Sequence, residues 1–303
     1  MSLVRSNGIG SAQSRRSNLL MALPVILILL VFSLYPFFYT LSLSVTESAL
    51  ARPFQEFIWL DNFRRGLEDS LFQTSIVNTL VYGFTSASLQ LVLGFVLALF
   101  FYKSVKAGKY LRTLALFPFI TPPVAVAMIW RLIYEPNSGL INYYLGQLGI
   151  NPSQPIAWLG DPNIALLSLV IIDVWQWTPF VFLLALAALQ ALPHDPYEAA
   201  AVDGASAWQA FTHLTLPMAA PALIVIYIIR LIGAFKIFDQ VYLLTFGGPG
   251  SSTQVASFYI YRAAFQQFDT GYASALTIIL LVVLSITVAV LTSVRNRVRA
   301  RYE

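Results

Sequence analysis

Leu19 to Leu43 reads LLMALPVILILLVFSLYPFFYTLSL, an apolar run without one charged residue. About 20 residues at 1.5 Å each cross a hydrocarbon core roughly 30 Å thick, so this run is long enough to span a bilayer. Ser14-Arg15-Arg16 ahead of it has the look of a twin-arginine export signal. The run is too long for a signal core, and no small-residue cleavage site follows it, so Arg15 and Arg16 read as a topological anchor.

Working outward, the same pattern returns within Ser70–Tyr102, then at Leu111–Ile133, Asn163–Leu192, Leu216–Asp239 and Gly271–Val294. The composition agrees. Hydrophobic residues make up 58% of the 303 and charged residues 11%, where a soluble domain carries about a quarter charged. Mean hydropathy is +0.72. The expectation is an all-α polytopic membrane protein with about six transmembrane helices. Residues 1–18 form an N-terminal tail, 19–294 the membrane domain, and 295–303 a basic tail. Lysine and arginine set the orientation. Arg5, Arg15 and Arg16, then Lys103, Lys106, Lys109 and Arg112, then Arg295, Arg297, Arg299 and Arg301 fall on one face. That face is cytoplasmic, and both termini lie on it. Arg52, Arg64, Arg65 and Arg262 on the other face are diluted by acidic neighbours. Pro36, Pro118, Pro122, Pro123, Pro179 and Pro221 fall inside spans, where each removes a backbone donor and kinks its helix. Kinked helices suit a pathway, although each proline is also readable as a packing kink.

The loop Pro193–Pro217 belongs to the cytoplasmic face yet contains no lysine or arginine. Asp195 reads as a helix N-cap, with Pro196 at the first position and Glu198 three residues on. Ala199, Ala200 and Ala201 fill that helix and Gly204 ends it. Ser206 caps a second helix, with Gln209 three residues on, and Pro217 stops or kinks it where the fifth span begins. Small residues admit a close partner backbone, Glu198 and Asp203 offer negative charge, and Trp208 and Phe211 offer anchors. Lipid-surface hairpins carry basic residues to meet anionic headgroups. An acidic hairpin favours a protein partner.

This segment resembles the EAA motif of bacterial ABC importer permeases: Glu198-Ala199-Ala200, Gly204, then Leu214 and Leu216-Pro217, with Leu214 where isoleucine is commoner. More of the chain is similar to the carbohydrate branch, of the maltose and glycerol-3-phosphate type. Trp130-Arg131-Leu132-Ile133-Tyr134, Trp175 to Phe180, and Phe235-Lys236-Ile237-Phe238-Asp239 followed by Thr245 to Pro249 carry that likeness. The resemblance implies an inner-membrane permease subunit, coupled through Glu198, Ala199, Ala200, Asp203, Gly204, Leu216 and Pro217 to a separate cytoplasmic ATPase dimer. It also implies a homologous second permease, an extracytoplasmic substrate-binding protein, and a sugar, polyol or sugar-phosphate as substrate. ATP and magnesium would be bound by the ATPase, with no cofactor or metal on this chain.

Chemistry by the chain itself finds no support in the residues. There is no cysteine, His194 and His213 do not have metalloprotease spacing, and no Gly-x-x-x-x-Gly-Lys-Ser/Thr phosphate loop occurs. Gly247-Gly248-Pro249-Gly250 reads as a turn. Ionisable groups at bilayer depth default to a functional reading. Asp173 lies roughly 15 Å into the fourth run and Arg230 roughly 20 Å into the fifth from the opposite side, so the two are expected to pair near the midplane. Either a substrate contact or a purely structural ion pair fits. Trp175, Gln176 and Trp177 offer sugar-stacking faces and an amide, or an aromatic packing cluster. Asn78 and Gln90 in the second run, with Lys236 and Asp239 near the end of the fifth, complete the candidates. A self-contained secondary transporter remains the alternative, and an intramembrane enzyme would need catalytic groups at depth.

Overall fold

The computed structural model describes residues 9–102, 116–150 and 154–299. The chain divides into two compact units. The smaller takes residues up to Arg64 together with Ala263–Ile278, and the larger takes Arg65–Arg262 together with the chain from Ile279 onward.

In the smaller unit α1 runs Ile9–Ser44 and is followed by a short hairpin, β1 (Thr46–Ala49) and β2 (Arg52–Phe57). The strands pair antiparallel, Thr46 opposite Phe57 and Glu47 opposite Glu56, with an irregularity before Ala49. Asn62 Nδ2 donates to the carbonyls of Ser44 (3.2 Å) and Thr46 (3.1 Å), tying the end of α1 to the hairpin. Thr270 Oγ1 donates to the Ser48 carbonyl at 3.0 Å. The hairpin is a small departure from the all-α expectation. The first helix also begins ten residues before Leu19 and so takes in Arg15 and Arg16, assigned to the tail from sequence. From Met21 to Leu41 its side chains are nearly all exposed. A helix apolar on every side needs an apolar surrounding, and here that is the bilayer or another membrane chain.

In the larger unit the core is built by three long helices: α3 (Ser70–Tyr102, after the short α2, Asp61–Glu68), α7 (Ala165–Gln190) and α9 (Ala207–Ala234). The buried stripe of α3 repeats every three or four residues: Phe72, Ser75, Thr79, Gly83, Ala87, Gln90, Gly94, Ala98. It is made largely of small residues because lipid supplies no hydrophobic drive between helices, and close backbone approach must replace it. A Cβ on Gly94 would lie 2.7 Å from Val181 Cγ1 and 2.9 Å from the Phe182 amide nitrogen, so α3 meets α7 at a separation that only glycine allows. The remaining described elements are α4 (Phe117–Ile120), α5 (Pro123–Ile133), α6 (Leu140–Gln147), α8 (Asp195–Val202), a π turn over Val241–Thr245, α10 (Ala256–Phe265) and α11 (Thr270–Arg299).

Among the described residues five helices are long and apolar enough to cross a membrane: Met21–Ser44 of α1, then α3, α7, α9 and Thr270–Ser293 of α11. They coincide with the first, second, fourth, fifth and sixth runs. The third, expected as one span over Leu111–Ile133, begins outside the described residues. Its described part is two short helices, α4 and α5, broken at Thr121-Pro122-Pro123. The cause is local. Two successive prolines remove two donors, and Pro122 forces Thr121 into the extended conformation it shows (φ −73°, ψ 129°). The Thr121 carbonyl then accepts from Gln176 Nε2 of α7 at 3.2 Å, as membrane depth requires. Of the basic residues used for orientation, Arg5, Lys103, Lys106, Lys109, Arg112 and Arg301 lie outside the described residues.

Gly94→Ala is predicted to cost about 1–3 kcal/mol by overpacking against α7. Gly146→Ala, where an added Cβ meets nothing within 4 Å, should be neutral or slightly stabilising. Thermal unfolding of the two variants in detergent checks the contrast.

Candidate functional site

The loop between α7 and α9 folds as a rigid elbow. Its first arm is α8. The chain is already helical at His194 (φ −84°, ψ −30°), whose carbonyl accepts from the amides of Tyr197 and Glu198. Asp195 is therefore the first helical residue and not the side-chain cap expected from sequence. It still stands with Glu198 in the first turn, where negative charge meets the positive end of the helix dipole. Gly204 (φ +76°) ends α8 as expected. The Ala205 amide donates to the Ala200 carbonyl at 2.9 Å and the Gly204 amide to Ala201 at 3.2 Å, a Schellman closure.

Ser206 then caps α9 reciprocally. The Gln209 amide donates to Ser206 Oγ (3.3 Å) and the Ser206 amide to Gln209 Oε1 (2.8 Å). Pro217 does not stop this helix. Phe211–Thr215 widens into a π turn, the Leu216 amide donates to the Phe211 carbonyl, and the helix continues to Ala234. The wider turn absorbs the donor that Pro217 lacks. Tyr197 Oη donates to Thr215 Oγ1 at 3.0 Å, fastening the first arm to the second.

From Glu198 to Gln209 almost every residue of the elbow is exposed, including Val202 (88%) and Trp208 (71%). A hollow of about 400 Å³ lies in its bend, lined by Ala200, Asp203, Gly204, Gln209, His213 and Leu214 among others. Glu198, Ala199, Ala200, Asp203 and Gly204 thus share one exposed feature, while Leu216 and Pro217 lie past it, inside α9.

The second arrangement sits between the long helices. Arg230 of α9 (3% exposed), Asp173 of α7 (5%) and Gln90 of α3 (0%) form a closed triangle. Arg230 Nη2 donates to Asp173 Oδ2 at 3.2 Å and Arg230 Nε donates to Gln90 Oε1 at 2.6 Å. Gln90 Nε2 donates to Asp173 Oδ2 at 2.8 Å and to the Asp173 carbonyl at 3.1 Å. The pairing expected from depth is present. Gln90, a weaker candidate from sequence, is its third corner. The guanidinium also lies 4.3 Å above the Trp177 ring.

Beside the triangle a cavity of about 120 Å³ gathers Asp173, Gln176, Trp177, Lys236 and Asp239 with Tyr82, Phe238 and Gln240. Five of the sequence candidates therefore line one space. Arg230, Trp175 and Asn78 do not line it. Trp175, two residues and half a helical circumference from Trp177, packs edge-on against Trp130 at 5.7 Å in the apolar core. Asn78 Nδ2 donates to the carbonyls of Ser251 and Gln254, both at 3.0 Å, and so fastens the loop before α10 to α3. Tyr82 and Gln240 were not singled out from sequence. They meet across 158 positions, Tyr82 Oη donating to Gln240 Oε1 at 3.4 Å, a separation that no local pattern signals. Among the described residues no group of three His, Cys, Asp or Glu side chains is placed to hold a metal ion.

Residues 90–300 match the family described as binding-protein-dependent transport system inner membrane component. The trehalose/maltose transport system permease protein MalF of Thermococcus litoralis is 39% identical over 279 residues, covering 92% of this chain and 93% of that protein. The trehalose transport system permease protein SugA of Mycobacterium tuberculosis H37Rv is 34% identical over 268 residues, covering 88% and 84%. Among solved structures, a chain of a bacterial ABC transporter involved in import of the acidic polysaccharide alginate superposes with a TM-score of 0.81. It is 26% identical and covers 96% of this chain and 99% of its own.

Arg230→Met leaves the Asp173 carboxylate buried without its cation and is predicted to destabilise the protein by about 3–5 kcal/mol. The double variant Asp173→Leu/Arg230→Met removes both charges and should recover part of that loss, read as a higher unfolding temperature in detergent than the single variant shows.

Proposed function

This chain belongs to the inner membrane components of binding-protein-dependent transport systems, and we propose that it is the permease subunit of an ATP-driven ABC importer for a carbohydrate. It is a multi-pass inner-membrane protein. The observation that carries the coupling half of this reading is the elbow. It is capped at its second arm by Ser206 and Gln209, closed at Gly204, fastened by Tyr197, and exposes Val202 and Trp208 beside a hollow of about 400 Å³. A rigid surface of small and acidic residues with exposed apolar anchors fits a protein partner. In this reading the partner is a cytoplasmic ATPase dimer that binds ATP and magnesium, so hydrolysis falls to another chain and this one catalyses nothing. The elbow, both termini and the basic clusters then face the cytoplasm.

The transport half rests on the cavity. At about 120 Å³ it is well below the roughly 300 Å³ of a typical ligand pocket. A homologous second permease completes the path, and an extracytoplasmic binding protein delivers the substrate. A crystal structure of the alginate transporter in complex with a pentasaccharide-bound periplasmic protein gives a matching precedent at 26% identity. The lining suits a saccharide: an indole face to stack on a ring, and amide, carboxylate and ammonium groups to meet hydroxyls. The relatives named for trehalose and maltose support the same substrate class.

Gly204→Asp places a side chain at φ +76°, and Glu198→Lys reverses the charge on the exposed arm. Both are predicted to reduce ATP-dependent sugar uptake at least about tenfold, the effect of losing roughly 1.4 kcal/mol of docking. Membrane insertion and yield should be unchanged. Copurification of an ATPase with the native chain, weakened by either change, supports the docking role, whereas native uptake by both variants contradicts it.

A further inference from the structure

The buried triangle lies next to the cavity, but its three polar side chains spend their bonds on one another. Arg230 Nε and Nη2 are taken by Gln90 and Asp173, and a Cβ on Gly233 would stand 2.8 Å from Nη1, so glycine there preserves room for the guanidinium. What the guanidinium offers the cavity is an effect on Trp177. It covers the Trp177 ring at 4.3 Å, while Phe119 and Phe180 abut the indole edge-on at 5.4 and 6.0 Å. Trp177 itself lines the cavity. The ring is thus held by a cation over a face and by two phenyl rings set steeply to it (68° and 90°), each contact fixing an angle that a lone indole on a helix leaves loose.

We infer that Gln90 and Arg230 are positioning residues for transport: through the Gln90–Asp173–Arg230 triangle they hold the Trp177 indole so that it presents one face to a saccharide ring in the cavity. This rests on the carbohydrate reading above. Gln90 is the informative member. It carries no charge, lies 83 residues from Asp173 and 140 from Arg230, and bonds to each of them through a separate side-chain atom. It is absent from the cavity lining, so any effect on substrate must pass through its neighbours.

The test uses the full chain with its partner subunits in membranes and trehalose and maltose as probes. Gln90→Met keeps the length of the side chain and removes both hydrogen-bonding functions. It should raise KM for uptake about tenfold, the scale of one lost aligned contact, with maximal rate within about twofold. Trp177→Ala should raise KM at least as much. In the double variant the two effects should not multiply, because Gln90 has nothing left to position. Arg230→Lys retains the cation without its fork and should fall between native and Gln90→Met. Multiplying effects in the double variant, or a fall in maximal rate at unchanged KM, would overturn the positioning role. A second readout does not depend on transport. In the chain labelled with fluorotryptophan, the fluorine resonance missing from Trp177→Phe is that of Trp177, and Gln90→Met should shift or broaden it. An unchanged resonance overturns the proposal even where uptake is impaired. Native membranes that accumulate neither sugar, with the resonance shift intact, would count against the carbohydrate reading and leave the placement of the indole standing.

Discussion

Burying Asp173 and Arg230 between membrane-spanning helices is costly unless each finds a partner, and that requirement organises the larger unit. A carboxylate or guanidinium alone at bilayer depth costs several kcal/mol or more. The triangle removes the exposure by joining α7 to α9 through the ion pair and α3 to both through Gln90. The three helices cannot slide or rotate independently without separating charges in a medium that barely screens them. Their glycine and alanine stripe, closest at Gly94, makes the same demand sterically. The polar cavity opens beside this fixed point, and its position relative to the three helices is therefore set by the same bonds.

Rigidity continues into the elbow by other means. α9 is one helix from the second arm of the elbow to the level of Arg230 and beyond. Ser206 and Gln209 close its start, and the π turn at Phe211–Thr215 carries it past Pro217 without a break. A displacement of the exposed arm is thus transmitted along a continuous helix to the ion pair at its far half. Widened turns are frequent at functional sites because the extra residue is a local source of strain and adjustability. This one stands between the exposed arm and the membrane-depth cavity.

Much of this was legible in the amino-acid sequence, for reasons that can be given residue by residue. Long apolar runs locate five of the crossings because the bilayer allows few alternatives. The pairing of Asp173 and Arg230 follows from depth alone. Gly204, Ser206 and Gln209 announce their capping roles because those geometries are satisfied within six residues. Asp195 misled because its position before Pro196 suits either a cap or a first turn, and only the backbone at His194 decides. The third run misled because hydropathy does not register that Pro122 and Pro123 together cost two donors. Trp175 and Trp177 cannot share a face at helical spacing, yet which of them meets the cavity depends on how α7 is rotated against α5. Gln90, Asn78, Tyr82 and Gln240 act through partners more than 80 positions away, beyond any local pattern.

If the elbow is the surface that meets an ATPase, a probe placed in its bend reaches that subunit. The chain has no cysteine, so single cysteines need no altered background. Ala205→Cys places one in the bend of the elbow, and Tyr143→Cys places one on exposed α6. Membranes containing the assembled transporter, treated with a short bifunctional thiol–amine crosslinker, give the most direct measurement. With the elbow as the docking surface, Ala205→Cys is expected to join to the ATPase subunit in an adduct that changes with added ATP, while Tyr143→Cys does not join to it. Crosslinking from Tyr143→Cys instead, or no ATPase adduct from Ala205→Cys in a transport-competent complex, would contradict that docking role.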